Sequence, residues 1–205
     1  MPASPPVPGL PDLHPRALNN GTESGHPAAD SFAALSALSK RGYVMEPPQR
    51  LIRYLNDKKI QYEILHHPEA FTAQTIAAAE HIKGRHHAKV VMVKSGNEHL
   101  MTVLPANSRI DLEKLEKVAG KPVDLESEPE FKSLFPDCAP GTMPPFGNLY
   151  GLMTYVDRAL SKQDYIVFEA GTHTDAIKLQ YKDYERAVNP LIEDFAMKLQ
   201  PVRQA

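Results

Sequence analysis

The chain is short of the features that would settle its chemistry quickly. It has no tryptophan and a single cysteine, Cys138, which excludes an internal disulfide and makes a reducing, cytoplasmic setting the expectation. No apolar run approaches the roughly 18 residues a spanning helix needs, and the N-terminus has neither a basic n-region nor an apolar h-region, so no membrane role is expected. There is no G-x-S-x-G elbow, no P-loop, no G-x-G-x-x-G and no H-E-x-x-H, which removes the familiar hydrolase and nucleotide-binding classes. An excess of positive charge is missing too. Lys and Arg number 23 against 25 Asp and Glu, a net charge of -2, so a nucleic-acid partner would have to be met by a local patch. What is present is ordinary for a globular protein: 42% hydrophobic and 23% charged residues in 205, enough for one core and a tail.

Composition divides the chain near Met45. Residues 1–46 open with "MPASPPVPGLPDLHPRALNNGTESGHPAAD", rich in Pro, Ser, Gly and Asn without apolar periodicity, and read as a disordered extension. "SFAALSALSKRG" within it reads as a short frayed helix. Residues 47–200 read as one folded domain. "PPQRLIRYLNDKKI" predicts a helix with Leu51, Ile52 and Leu55 on one face, followed by the strand "QYEILHH". "TAQTIAAAEHIKG" predicts a helix with Thr72 as N-cap and Gly84 as stop. "AKVVMVKSGNEHLMTVLP" predicts a hairpin turning at Ser95, Gly96 and Asn97. "IDLEKLEKVAG" is an amphipathic helix with Leu112, Leu115 and Val118 inward. "LMTYVD", "YIVFEAG" and "AIKLQ" read as strands, then a helix beginning near Asp183, a break at Pro190 and a last helical run. This order lacks regular βα alternation and predicts an α/β domain of the α+β type, with a mixed, mostly antiparallel, curled sheet surrounded by helices.

Four stretches carry candidate chemistry. "PGTMPPFGNLYG", residues 140–151, is stiff and uncharged, and suits either a main-chain grip on a small ligand or a wide turn between strands. "KGRHHAKVV" sets Lys83, Arg85 and Lys89 close together around His86 and His87, a small positive mouth for a phosphate or carboxylate, or else a solvated strand edge. Lys89 leads directly into an apolar strand, from which its ammonium can enter a cleft. "EAGTHTDAIKL" clusters polar groups at one sheet end, where His173 is a general base or ligand anchor and Asp175 a turn former or a catalytic group. The nine histidines raise the question of a metal, but the residues of His66-His67, adjacent on a strand, face opposite sides, and neither this pair nor His86-His87 has a helical i+4 companion. Cys138 has no neighbouring cation and reads as a packing residue.

Taken in order, "AKVVMVK", "VLPA", the amphipathic helix, "GTMPPFG", "YVDRAL" and "EAGTHTDAIKL" resemble the YbaK/prolyl-tRNA-synthetase-associated family of aminoacyl-tRNA editing domains over residues 48–190, in its free-standing branch. The resemblance implies hydrolysis of the ester of mischarged tRNA in trans, without metal or cofactor. The family's lysine falls on Lys89, its G-x-x-x-P loop on Gly141 to Pro145 and its Gly-x-His turn on Gly171 to His173. Lys89, Gly141 and His173 are thereby the expected catalytic residues. Pro145, Gly147, Gly171, Thr172 and Asp175 are expected around the substrate, with Phe71, Thr72, Met92 and Phe146 as the side-chain sieve. Lys83, Arg85, His86 and His87 are expected to meet the tRNA. Where proline- and alanine-editing members often carry asparagine after the lysine, this chain has Val90, so the edited amino acid does not follow. The implied partners are the acceptor end of a mischarged tRNA and an aminoacyl-tRNA synthetase, not DNA, for a monomer or homodimer. A non-catalytic module of the same fold, sensing aminoacyl-tRNA or a related small ligand, is the other reading.

Overall fold

A computed structural model of the protein describes residues 46–67 and 83–199. The N-terminal extension, its short helix and the helix expected from Thr72 lie outside the described residues. Helix α1, Gln49–Asp57, buries Leu51 and Leu55 one turn apart, with Ile52 partly covered, as the i, i+4 spacing predicts. Strand β1, Tyr62–His66, follows. The hairpin forms as expected: β2, Ala88–Ser95, pairs with β3, Glu98–Pro105, through a two-residue loop at Gly96 and Asn97. After β4, Ser108–Ile110, helix α2, Leu112–Ala119, starts where the Asp111 side chain accepts from the Lys114 amide and stops at left-handed Gly120. Leu115 is buried as predicted, but Val118 is exposed, because only a narrow stripe of this short helix meets the sheet.

The remainder runs β5, Asp124–Leu125; α3, Glu128–Phe131, begun by a Ser127/Glu130 capping box; β6, Met153–Asp157; α4, Arg158–Ser161; β7, Tyr165–Glu169; β8, Asp175–Gln180; and α5, Tyr181–Val188. The expected last helical run is two short strands instead, β9, Leu191–Glu193, and β10, Ala196–Lys198. Pro190 follows the left-handed cap Asn189, and the exposed backbone beyond it pairs with β6 and β4, tertiary partners that outweigh local helix preference.

The strands form three sheets, in the orders β5-β2-β3-β6-β9, β1-β8-β7 and β4-β10. Pairing is mostly antiparallel, with β3-β6 and β6-β9 parallel, so the mixed architecture expected from the sequence is present. Strand β2 is covered on both faces. Ala88 and Met92 belong to a large core with Leu51, Leu55, Phe146, Phe168 and Tyr184, while Val93 joins a smaller one with Leu104, Leu115 and Phe195. That explains its nearly continuous apolar sequence. Among the described residues no helix is long and apolar enough to cross a membrane.

Candidate active site

The turn between β7 and β8 is locked by one carboxylate. Asp175, itself buried, accepts from the hydroxyls of Thr172 (2.6 Å) and Thr174 (3.0 Å) and contacts His66 Nδ1 at 2.6 Å. The Ala170 amide donates to the Asp175 carbonyl at 2.9 Å, and the His67 amide to Thr174. Thr172 and Asp175 are therefore spent in holding the turn, and His173 is left half-buried at its apex. Thr172 and Asp175, expected around the substrate, thus shape the turn through these bonds.

The glycine-proline loop joins this turn. The Ala139 amide donates to the Gly171 carbonyl and the Gly171 amide to the Thr142 carbonyl, each at 2.9 Å. Gly171 has φ +85, and a Cβ there would lie 2.4 Å from Pro48 Cδ, so only glycine fits. Gly141 is exposed with φ +78 and open space around it. Residues 142–147 of the loop are buried rather than presented. The Pro145 carbonyl accepts from Tyr184 Oη at 2.9 Å, and Phe146 packs among Tyr54, Phe168 and Tyr184. Gly147 sits so tightly on Thr154 and Leu152 that a Cβ would approach Thr154 Oγ1 to 2.3 Å. Pro145, Phe146 and Gly147, expected at the substrate, are buried in the loop's packing, and Met92 belongs to the core. Four loop amides, those of Gly141, Met143, Gly147 and Asn148, donate to no acceptor among the described residues. The Met143 amide was not singled out in the sequence, since nothing local distinguishes an unused donor from a used one.

Lys89 lies two residues past a bridge to β7. Strands β2 and β7 run parallel and meet at one bridge, His87 to Val167; no further pairing joins them beyond it. Lys89 and Glu169, each two residues on, leave the bridge on one face where the strands part, and Glu169 runs directly into Gly171. Lys89 is half-buried, and no carboxylate among the described residues lies within ion-pairing distance of its ammonium. Desolvation by burial lowers its pKa from the ordinary lysine value.

The "KGRHH" group divides. Lys83 and Arg85 are exposed. His86 stacks on Tyr165 with ring centroids 4.4 Å apart and its Nδ1 lies 3.2 Å from the Tyr165 carbonyl. His87 is wholly buried, which overturns its expected contact with tRNA. Burial, then the neighbouring His67, pushes the His87 pKa down to about 4. The folded chain then binds fewer protons than the unfolded one between about pH 6.5 and pH 4. His87 should therefore cost the protein about 3 kcal/mol of stability as the pH falls through that window. Urea titrations at pH 7 and pH 4.5 check this, with His87→Gln expected to flatten the acid limb; equal slopes for the two proteins would remove His87 as the cause. Phe71 and Thr72 lie outside the described residues. Cys138 contacts Tyr150 Oη at 3.4 Å, and burial pushes its thiol up to about 11, which suits packing rather than attack. Among the described residues no group of three or more His, Cys, Asp or Glu is placed to hold a metal ion.

Comparison with known proteins follows the same outline. A model described as "Aminoacyl-tRNA editing domain" matches residues 67–187, more than half of the chain. The Multifunctional Ser/Thr-tRNA deacylase ProXp-y of Escherichia coli strain K12 is 26% identical over 153 residues, 72% of this chain and 91% of its own length. Among solved structures, hypothetical protein APE2540 superposes with a TM-score of 0.67 at 18% identity, covering 73% of this chain and 100% of that one. A candidate trans-editing enzyme for prolyl-tRNA synthetase superposes at 0.65 and 19% identity, covering 74% of this chain and 96% of that one.

Proposed function

The chain belongs to the aminoacyl-tRNA editing domain family, and on that premise we propose that it is a deacylase that hydrolyses the ester of mischarged tRNA in trans, with Lys89, Gly141 and His173 at its centre. The observation that carries the proposal is the hydrogen-bonded junction of the Gly141–Thr142 loop with the Gly171–His173 turn, and a half-buried lysine with no carboxylate partner among the described residues supports it. An aminoacyl ester is already activated. Its hydrolysis needs a placed water and a stabilised oxyanion more than an enzyme nucleophile. Lys89 supplies the positive charge, either on the 3′-terminal phosphate or on the ester carbonyl. The amides of Gly141 and Met143 orient the carbonyl, His173 faces the ribose from the turn, and the substrate's own 2′-hydroxyl relays the proton.

The relatives named Ser/Thr-tRNA deacylase support Ser and Thr as the first amino acids to try. A pocket that only senses hydrocarbon separates a methylene by about 1–3 kcal/mol, so hydrogen bonding to a side-chain hydroxyl is the stronger basis for choice. The test is deacylation of tRNAs mischarged with Ala, Ser, Thr or Cys by the full chain. Turnover of one or two members is the expected result. No turnover of any member, by protein that binds tRNA, would overturn the enzyme reading and leave a binding module.

A further inference from the structure

A cleft of about 530 Å³ opens where the ends of β3 and β6, the start of α4 and the β9-β10 link come together. Four cations line it, Arg85, Arg158, Lys162 and Lys198. They come from three separate segments of a chain whose net charge is -2, Arg158 and Lys162 sharing α4 and its C-terminal cap, so the concentration is a product of folding rather than of composition. The acidic residues offset them only partly. Asp157 is buried and turned inward, its carboxylate accepting from the amides of Ala159 (2.9 Å), Phe195 (3.0 Å) and Ala196 (2.7 Å), which makes it the floor of the cleft. Asp194 pairs outward with Lys114 at 3.6 Å. Arg158 is held loosely by Glu193 at 3.9 Å and the Ile192 carbonyl at 3.3 Å. Lys162 and Lys198 are exposed and have no carboxylate partner among the described residues.

We infer that this cleft docks the phosphodiester backbone of the tRNA acceptor end, a few nucleotides before the esterified ribose; the inference rests on the editing reading above. Position supports it. Pro105, on the cleft wall, pairs with Ala88, and its neighbour Leu104 pairs with Lys89. Arg85 lies four residues before Lys89, so their backbones are no more than roughly 14 Å apart along the chain. A substrate held by its ester at Lys89 must lead its phosphates away over a neighbouring surface, and this one carries spaced, unpaired ammonium groups. Spaced cations around an open cleft suit a chain of phosphates, whereas a single small anion needs a converging clamp.

The variants Lys162→Ala/Lys198→Ala and Lys162→Glu/Lys198→Glu alter exposed side chains, and unchanged melting curves would confirm intact folding. Expected for the alanine pair are a KM for mischarged tRNA raised about tenfold with little change in kcat, and a log-log salt slope for uncharged tRNA binding that falls by about 2 in magnitude. Hydrolysis of an aminoacyl ester of the dinucleotide CpA, too short to reach the cleft, should stay at the wild-type rate, and the glutamate pair should exaggerate each effect. An unchanged KM and salt slope would overturn the docking site while leaving the editing reading intact, and so would equal loss on the dinucleotide ester. A wild-type protein that deacylates nothing, yet whose tRNA affinity shows the salt-slope change, would keep the cleft and reject the deacylase.

Discussion

Lys89→Met is expected to lower kcat/KM for a mischarged tRNA by about 10²–10³-fold, the usual effect of removing one preorganised group that stabilises charge in the transition state, and at the same time to raise the melting temperature. Both effects have one cause. The Lys89 ammonium is half-buried and burial lowers its pKa, with no carboxylate among the described residues placed to offset the desolvation. A charge kept in such a position weakens the fold, and a flexible apolar side chain of similar length would remove that cost together with the proposed function. The pH dependence has a definite sign. Because the folded pKa is the lower one, the unfolded chain binds the extra proton in the window between that value and the ordinary lysine pKa, so stability rises with pH across it. Activity should run the other way, falling as the ammonium is lost, and earlier on the alkaline side than an exposed lysine would allow. Lys89→Arg, which keeps its charge, should flatten that limb. Single-turnover deacylation and thermal melts at pH 7 and pH 9.5 read both quantities. A Met variant as active as the wild type would leave the site without its cation.

Gly171→Ala is expected to cost about 2–5 kcal/mol and to abolish activity. A left-handed backbone costs an L-residue about 1–2 kcal/mol, and overpacking against a stiff neighbour a further 1–3 kcal/mol. The neighbour is the Pro48 ring, whose Cδ and Cγ would lie 2.4 and 2.5 Å from the new methyl. Pro48 caps α1 and cannot swing aside as a long side chain would. Gly171 also holds both hydrogen bonds to the glycine-proline loop, so any shift separates the two halves of the site. Gly141→Ala supplies the control. Its φ of +78 carries the same backbone penalty, but the new methyl meets nothing within 4 Å, so it should lose only the first contribution. Urea unfolding of both variants distinguishes the two effects, and equal losses would show that the Pro48 contact constrains nothing.

Much of the scaffold was legible because its signals are local. Two β-rich runs around Gly96 and Asn97 predict the hairpin, and Asp111 and Gly120 mark the ends of α2. The β9 and β10 strands were not legible. Three-residue strands carry no usable period, and their pairing partners lie far away in the chain. The candidate site was half legible. Lys89, Gly141 and His173 stand out through their motifs, and folding joins the loop of one to the turn of another. Met92, Pro145, Phe146, Gly147 and His87 attracted attention through the same motifs, yet they are interior residues. Adjacency in sequence does not tell a side chain that lines a pocket from one that supports its wall.

By itself, then, the sequence determined the order of the central strands and helices, the resemblance to editing domains, and the glycines and lysine around which a site could form, because each of these depends on residues near one another in the chain. The tertiary structure alone decided which loop amides remain unused, that His87 lies inside, and that Arg85, Arg158, Lys162 and Lys198 surround one cleft. Burial and the summation of charge depend on distance in space, and only the packing of distant segments sets that distance.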